Sequence, residues 1–281
     1  MPNIAVIFNG ENAKSRAKAA EVAAYIGERQ AGLFAPPGGF GYTIDDLREG
    51  VDFGGCDAAV VLGGDGTLLA AVRHLSEYGV PLFGVNMGRV GFLSSVENEQ
   101  AFDAIDWYLA GNYFIQERLM LSCKLYRGGR EIESCTAFND LVVNSGVFSR
   151  AVTLDLFIDK QKINSYNADG IIVSTPTGST GYSLSAGGPI VMEDLSIMLI
   201  TPVCPHTFFS RPIVASAAGE VEIVCKSAAG VASLTSDGQY RFSVEKEDEI
   251  AISAADTKAL IIRFSQHHYF ERIKEKLYKI D

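Results

Sequence analysis

The sequence lacks the long apolar segments that mark membrane proteins. Its longest apolar runs, such as residues 58–62 and 197–200, have the length of a strand, whereas a membrane helix needs about 18 consecutive apolar residues. The first eight residues are too few for a signal peptide and include no basic stretch. We therefore expect no membrane association and predict that residues 4–8 form a core strand.

Cysteine and basic residues are also scarce. The five cysteines are odd in number and none are spaced like metal ligands, so we expect neither a disulfide framework nor a zinc site, and a reducing, cytoplasmic location is the default. Lys and Arg number 24 against 34 Asp and Glu, a net charge of −10. This balance argues against nucleic-acid binding. An anionic ligand would be bound by backbone N–H groups, helix N-termini or a few placed cations.

What the sequence does contain is a folded core, since 47% of its 281 residues are hydrophobic. Over the first ~110 residues, apolar runs alternate with segments of helical periodicity. The runs are 4–8, 58–62 and 81–85, and the helical segments are 11–29, 67–78 and 100–109. This alternation predicts a mostly parallel sheet with helices on its faces.

The pattern changes after Gly111. Residues 119–126 and 131–136 flank Gly128-Gly129 as in a hairpin, and apolar side chains alternate over 152–158. Further short strands are expected at 220–225, 231–235, 250–253 and 259–264. The sequence therefore predicts an α/β domain over 1–114, a β-rich, sandwich-like domain over 115–264, and an amphipathic terminal helix over 265–281 that packs back on the first domain.

The strongest local motif is Gly63-Gly64-Asp65-Gly66-Thr67, which follows an apolar strand and opens a helix. Ligands bind at this position in α/β sheets, and glycines allow backbone N–H groups to approach phosphates closely. A carboxylate in such a loop repels phosphate. Its presence makes sense if Asp65 orients or deprotonates an attacking hydroxyl, or holds Mg²⁺. The sequence matches neither the dinucleotide fingerprint nor the P-loop.

Two further motifs contain groups suited to a nucleotide. Asn139-Asp140 lies at the mouth of a strand and can bond sugar hydroxyls and base edges. Residues 167–188 run from an apolar strand into a stretch dense in Ser, Thr and Gly, interrupted by Tyr182 and Leu184. Short hydroxylated side chains suit a nucleotide cradle, and Tyr182 could stack on a base.

Together these motifs resemble the NAD kinase family. The stretches 84–93 and 205–212 and the triplet Asp237-Gly238-Gln239 are similar to the family as well, in the same order along the chain. The resemblance implies a Rossmann or phosphofructokinase-like first domain and a β-rich NAD-binding domain. It also implies transfer of a phosphoryl group from ATP to the adenosine-ribose 2′-hydroxyl of NAD, with Mg²⁺ carried on ATP, no metal site formed by protein residues alone, and a homo-oligomer, dimer or tetramer.

The resemblance also implies residue roles. Asp65 would accept the proton, ATP would lie over Gly63, Gly64, Gly66 and Thr67, and Gly66 would also contact NAD. Asn139 and Asp140 would bind the nicotinamide side. The adenosine subsite would comprise Asp169, Thr180, Gly181, Tyr182, Ser183, Leu184 and Ser185. Further contacts would come from Gln239 and Arg150. Asn167, which stands where relatives often have Arg or Lys, would be a further, uncharged contact to the nucleotide.

Two alternatives share part of this pattern. A lipid kinase of the diacylglycerol type has the same glycine loop, although it would not be expected to have the full 169–185 motif. A non-catalytic NAD-binding sensor would not need Asp65. A 6-phosphofructokinase would need more Arg than this chain offers. The sequence does not show whether NAD or NADH is the preferred acceptor, whether ATP or polyphosphate is the phosphoryl donor, or how the activity is regulated.

Overall fold

The computed structural model describes residues 1–88, 93–94, 96–146, 151–206, 210–228, 232–264 and residue 274. The chain divides into two compact units, the first comprising Met1–Glu117 with Thr257–Asp281 and the second Arg118–Asp256. Arg150 and, apart from Lys274, the terminal helix expected over 265–281 lie outside the described residues. Among the helices of the described part, none is long and apolar enough to cross a membrane.

In the first unit, strands and helices largely alternate until the chain enters the second unit. In chain order they are β1 (Asn3–Phe8), α1 (Ala13–Glu28), β2 (Gly32–Phe34), β3 (Tyr42–Thr43), α2 (Ile44–Arg48), β4 (Ala58–Gly63), α3 (Asp65–Ser76), β5 (Leu82–Asn86), β6 (Val96–Glu97), α4 (Ala101–Leu109) and β7 (Phe114–Arg118).

The second unit is built mainly of strands. They are β8 (Leu121–Arg127), β9 (Arg130–Ala137), β10 (Asp140–Ser145), β11 (Val152–Ile158), β12 (Gln161–Ala168) and β13 (Gly170–Ser174), then the short helix α5 (Tyr182–Ser185), and then β14 (Ile197–Val203), β15 (Ile213–Ser216), β16 (Val221–Ala228), β17 (Ala232–Ser236), β18 (Tyr240–Val244) and β19 (Glu249–Ala254). The chain then returns to the first unit with β20 (Ala259–Arg263).

The sheet of the first unit has the strand order β2-β1-β4-β5-β20-β7 within the described residues. The pairs of β1 with β4, β4 with β5 and β5 with β20 are parallel. Strands β1 and β4 are buried on both faces, since Ala5, Ile7, Ala59 and Val61 are as inaccessible as their alternate neighbours. Those neighbours form one core with α1 and α4. Burial on both faces explains the continuous apolar runs in the sequence.

The second unit is an antiparallel sandwich. One sheet has the order β15-β14-β13-β10-β17-β18 and the other β12-β11-β16-β19-β8-β9, as far as the structure describes them. Inward side chains of both sheets, among them Leu125 and Val143, belong to a single core. The hairpin of β8 and β9 turns at Gly128 and Gly129, whose φ angles of 57° and 75° favour glycine. The predicted fold class is confirmed.

Three local predictions differ from the structure. The strand predicted at 259–264 was placed in the β-rich domain, but β20 pairs with β5 of the first sheet through Ile261 and Leu82. This prediction was wrong because an apolar pattern alone does not identify a strand's partner. Helix α3 begins at Asp65 rather than at Thr67. On β11, Asp155 lies on the face opposite the core, as the alternation predicts, but that face is not exposed at this point, since Asp155 is buried and bonded to Lys162 and Ser165.

Candidate active site

The glycine loop lies at the carboxyl end of β4, where the chain turns directly into α3. Gly63 is required by packing, since an added Cβ would overlap the Thr67 side chain. Gly64 is the N-cap of α3 and is exposed, and a Cβ there would meet open space. The first N–H groups of a helix have no intrahelical acceptor. An exposed glycine at this point therefore leaves an anion free to approach them.

Asp65 is the first residue of α3 and is half-buried. Its Oδ1 accepts a hydrogen bond of 3.1 Å from the N–H of Leu93, which restricts the orientation of the carboxylate. A negative charge in the first turn of a helix is stabilised by the helix dipole. The loop thus holds an oriented carboxylate between the exposed Gly64 and Gly66 at a helix N-terminus, a position suited to the activation of a hydroxyl beside a phosphate.

Asn86 supports the same edge of the sheet. It lies at the carboxyl end of β5 and pairs in register with Gly63. It is buried, its Nδ2 donates to Glu97 at 3.2 Å, and its Oδ1 accepts from the N–H of Gly88 at 3.1 Å. Asn86 is not among the site residues predicted from the sequence. The signal that could have identified it is its position at the end of a parallel strand next to the glycine loop.

The second unit contains a cavity of about 320 Å³. Asn139 and Asp140, at the start of β10, contribute to its wall together with Gly181 and Tyr182. Asn139 Oδ1 is buried and has no hydrogen-bond partner in the described part of the chain. A buried acceptor without a partner is unfavourable, so a ligand with a donor group would be stabilised here. The remaining lining residues are Val142, Asn144, Thr235, Asp237 and Gly238.

Asp237 holds the Asn139-Asp140 segment in place. Its carboxylate accepts hydrogen bonds from the N–H groups of Phe138 (3.0 Å), Asn139 (2.7 Å) and Asp140 (3.1 Å). In return, the N–H of Asp237 donates to the Asp140 carbonyl at 2.9 Å. Of the Asp237-Gly238-Gln239 triplet, only Gln239 was predicted from the sequence to contact NAD. Gln239 is half-buried in the same turn and does not line the cavity.

The pKa of Asp140 is strongly perturbed. Burial and, as a smaller effect, the nearby negative charge of Asp237 together raise this pKa to about 7. Desolvation and a like charge both disfavour an ionised carboxyl group. A methyl group at Gly181 would lie 3.7 Å from Asp140 Oδ2, so the carboxyl group stands directly across the cavity wall from the Gly181-Tyr182 segment. Asp140 can therefore change its charge near neutral pH inside a polar pocket.

The hydroxyl-rich stretch has two roles in the structure. Gly181 and Tyr182 line the cavity, and Tyr182 is exposed. Ser183 is fully buried, and its hydroxyl bonds that of Thr201 at 2.9 Å. Thr180 donates to the Thr177 carbonyl at 3.3 Å. The cavity lining includes neither these two residues nor Leu184 and Ser185. Much of this stretch therefore serves to build the turn.

Gly178 brings the turn against β10. An added Cβ at this position would overlap the carbonyl oxygen of Asn139. Thr175 completes the contact, because its N–H donates to the Asn139 carbonyl at 2.9 Å and its hydroxyl donates to the Phe138 carbonyl at 2.7 Å. The motif that follows β13 thus shapes the cavity through close backbone packing.

Asn167 and Asp169 lie apart from this cavity. Both are exposed, and Asp169 precedes β13, whereas the Gly181-Tyr182 segment follows it. Five residues of strand span about 16 Å, so the structure does not bring Asp169 together with Tyr182 in one cavity. The backbone of Asp169 bonds Val203 and Ser145 at 3.0 Å each.

Comparisons with known proteins agree with this arrangement of two units. The model for the ATP-NAD kinase N-terminal domain matches residues 4–113, and that for the ATP-NAD kinase C-terminal domain matches residues 138–264. An NAD kinase of Moorella thermoacetica is 37% identical over 287 residues, covering 99% of this chain and 89% of the relative.

Two solved structures share the fold over 99% of this chain. An NAD kinase from Archaeoglobus fulgidus in complex with ATP is 25% identical, with a TM-score of 0.76 over its full length. The yeast NADH kinase complexed with NADH is 23% identical and is covered over 88% of its length, with a TM-score of 0.83.

These matches define the protein as a phosphotransferase with an α/β domain and a β-sandwich domain. The chain belongs to the NAD kinase family. The family resemblance and the enzyme class predicted from the sequence are confirmed. The roles of individual residues stay predictions.

Proposed function

We propose that the protein transfers the γ-phosphoryl group of ATP to the adenosine-ribose 2′-hydroxyl of NAD, with Asp65 as the proton acceptor. The observation that supports this most directly is the oriented Asp65 carboxylate between the exposed Gly64 and Gly66 at the start of α3. The 2′-oxygen forms a bond to the γ-phosphorus while the bond from phosphorus to the β-phosphate oxygen breaks. The hydroxyl proton moves to Asp65 and ADP leaves.

Mg²⁺ would enter with ATP as part of the substrate. Among the described residues, no group of three or more His, Cys, Asp and Glu side chains is placed to hold a metal ion. Mg²⁺ in phosphoryl-transfer sites commonly keeps several waters and binds one or two carboxylates together with substrate phosphates. The loop fits a phosphate chain that carries such an ion, because Gly64 and Gly66 are exposed and have no side chains in the way. The ion would neutralise charge on the phosphate chain.

The cavity of the second unit would hold one nucleoside half of NAD. Its volume of about 320 Å³ falls in the range of small-molecule sites. The unpartnered Asn139 Oδ1 would accept from the base or ribose, and Tyr182 would border the base. This arrangement puts Tyr182 with the Asn139-Asp140 pair in one subsite. Asp169 and Asn167 would contact NAD elsewhere.

The cellular setting follows from the family and the composition. We propose a homo-oligomer, which light scattering after gel filtration would measure directly. A cytoplasmic location is supported by five cysteines that form no disulfide with one another.

One assay tests the reaction. The protein is incubated with NAD, ATP and Mg²⁺, and NADP is detected with a dehydrogenase specific for it. Loss of a general base lowers rates by about 10²–10⁴. We therefore expect Asp65→Asn to lower kcat by that factor, while calorimetry shows NAD binding retained or tightened, since a negative charge is removed.

A matched control is Asp103→Asn. Asp103 is an exposed acid in the first turn of α4 in the same unit, so its loss reproduces the change in helix-dipole interaction without touching the loop. Turnover by Asp65→Asn within a few-fold of wild type would refute the mechanism. A collapse of both binding and kcat would assign Asp65 a structural role.

A further inference from the structure

Two cysteines of the second unit face each other across the β8–β9 hairpin. Cys123 on β8 and Cys135 on β9 are directly opposite in register. Directly opposed residues of an antiparallel pair have Cα atoms about 4.5–5.5 Å apart and side chains on the same face. That separation lies within the roughly 4.4–6.8 Å at which a disulfide can form. The backbone therefore already brings the two thiols to bonding range.

The two thiols differ in access to solvent. Cys123 is 1% exposed and belongs to the core of the sandwich, whereas Cys135 is partly exposed. Strand β9 ends the sheet order β12-β11-β16-β19-β8-β9. Within the described residues β8 is its one neighbour in the sheet, so the strand can adjust to the torsion of a new bond. A small oxidant can reach the Cys135 thiol because it is partly exposed.

The other cysteines are less well placed to pair with Cys123. Cys225 lies on β16, two strands away from β8 in the same sheet, which corresponds to about 9–10 Å. Cys204 is exposed and follows β14 of the opposite sheet, and Cys56 belongs to the first unit.

We propose that Cys123 and Cys135 are a site of reversible oxidation, at which peroxide converts the two thiols into a disulfide that joins β8 to β9. The Cys135 thiolate attacks a peroxide oxygen, which gives a sulfenic acid and releases one water. The Cys123 sulfur then displaces the sulfenic oxygen as a second water. The two cysteines lose two electrons and two protons, and one hydrogen peroxide is reduced to two waters.

The environment of Cys123 makes this site respond to pH. Its hydrogen bond with the Cys135 thiol and its burial raise the pKa of Cys123 well above the usual range of a thiol. The protonated thiol is a poor nucleophile, so the second step is slow near pH 7. Cross-linking should become faster as the pH rises towards about 9.

The test uses the full-length protein treated with hydrogen peroxide and digested with trypsin under non-reducing conditions. We expect peptide 119–124 to be linked to peptide 131–150, with a loss of two hydrogen atoms that dithiothreitol reverses. The number of titratable thiols in the denatured protein should fall from five to three, because two are consumed.

Two variants act as controls. Cys135→Ser should retain all four of its thiols under oxidant doses that cross-link the wild type, whereas Cys204→Ser should cross-link normally. Closing a loop of this length should also raise Tm by roughly 5–10 °C. Oxidation of Cys135 to the sulfinic state while Cys123 stays a thiol would overturn the proposal. So would a disulfide through any other cysteine in place of this link.

Discussion

The buried carboxyl group of Asp140 should destabilise the fold above neutral pH, and Asp140→Asn should relieve this. The pKa of Asp140 rises from 3.8 to about 7 on folding, about three units at 1.36 kcal/mol each. Between about pH 4 and pH 7 the folded protein keeps a proton that the unfolded chain releases, so stability falls as the pH rises through this window. Above it, the unfavourable contribution reaches about 4 kcal/mol.

We therefore expect the effect of Asp140→Asn on the free energy of unfolding to differ between about pH 4.5 and pH 8 by up to about 4 kcal/mol, with the variant favoured at pH 8. Urea denaturation at both values measures this. Circular dichroism should follow it, because the only tryptophan, Trp107, lies in the first unit. The variant should also lose affinity for NAD, a trade of function for stability.

Asp155→Asn is the matched control. Asp155 is equally buried, and burial tends to raise its pKa, but the bonds to Lys162 and Ser165 outweigh burial and lower it. A lowered pKa contributes stability that is present above the unfolded value and lost only as the pH falls through the folded value. The control should therefore be destabilised by similar amounts at pH 8 and pH 4.5. A pH-independent effect of Asp140→Asn would refute the reasoning.

Three further substitutions test how the cavity is built. The two carboxylate oxygens of Asp237 together accept three N–H bonds, and Asp237→Asn replaces one of these oxygens by a donor, which should destabilise the protein by about 2 kcal/mol. The loss of charge should also move the pH at which NAD affinity changes to lower values. An unchanged pH dependence of NAD affinity would count against coupling between Asp237 and Asp140. Gly178→Ala should displace Asn139 and raise the KM for NAD at least about tenfold. An unchanged KM for NAD would show that the turn accommodates the added methyl group. Asp169→Ala should raise the KM for NAD far more than the KM for ATP, and an unchanged KM for NAD would remove Asp169 from the site.

Periodicity identified those parts of the fold whose burial is uniform. Strands β1, β4 and β5 are buried on both faces, so their apolar runs were unambiguous. The partner of β20 was not predictable, because its apolar pattern suits either unit and its pairing with β5 spans much of the chain. The burial of Asp155 was not predictable for a similar reason, since alternation places this carboxylate on the face opposite the core but cannot show that Lys162 covers and neutralises it there.

In the candidate site, motifs identified segments better than they identified atoms. The glycine loop and the Asn139-Asp140 pair stood out by residue type and position. The burial of Ser183 against Thr201 could not be read from the same sequence, because a hydroxyl that bonds the core looks identical to one that bonds a ligand. Asp237 was overlooked because its partners lie almost a hundred positions earlier.

The return of the chain to the first unit after Asp256 has a consequence for protein synthesis. Leu82 on the edge of β5 pairs with Ile261 of β20, which is translated 179 residues later. At roughly 5–20 residues per second, that edge emerges from the ribosome roughly 10–35 s before its partner strand exists. Strand β6 soon pairs with β5 at Val85 and Asn86, but the Leu82 end of the edge stays without its partner, and an unpaired strand edge is a template for association with other chains. All strands of the sandwich, the last being β19, precede β20 in the chain, so the first unit to begin synthesis is the last to be finished.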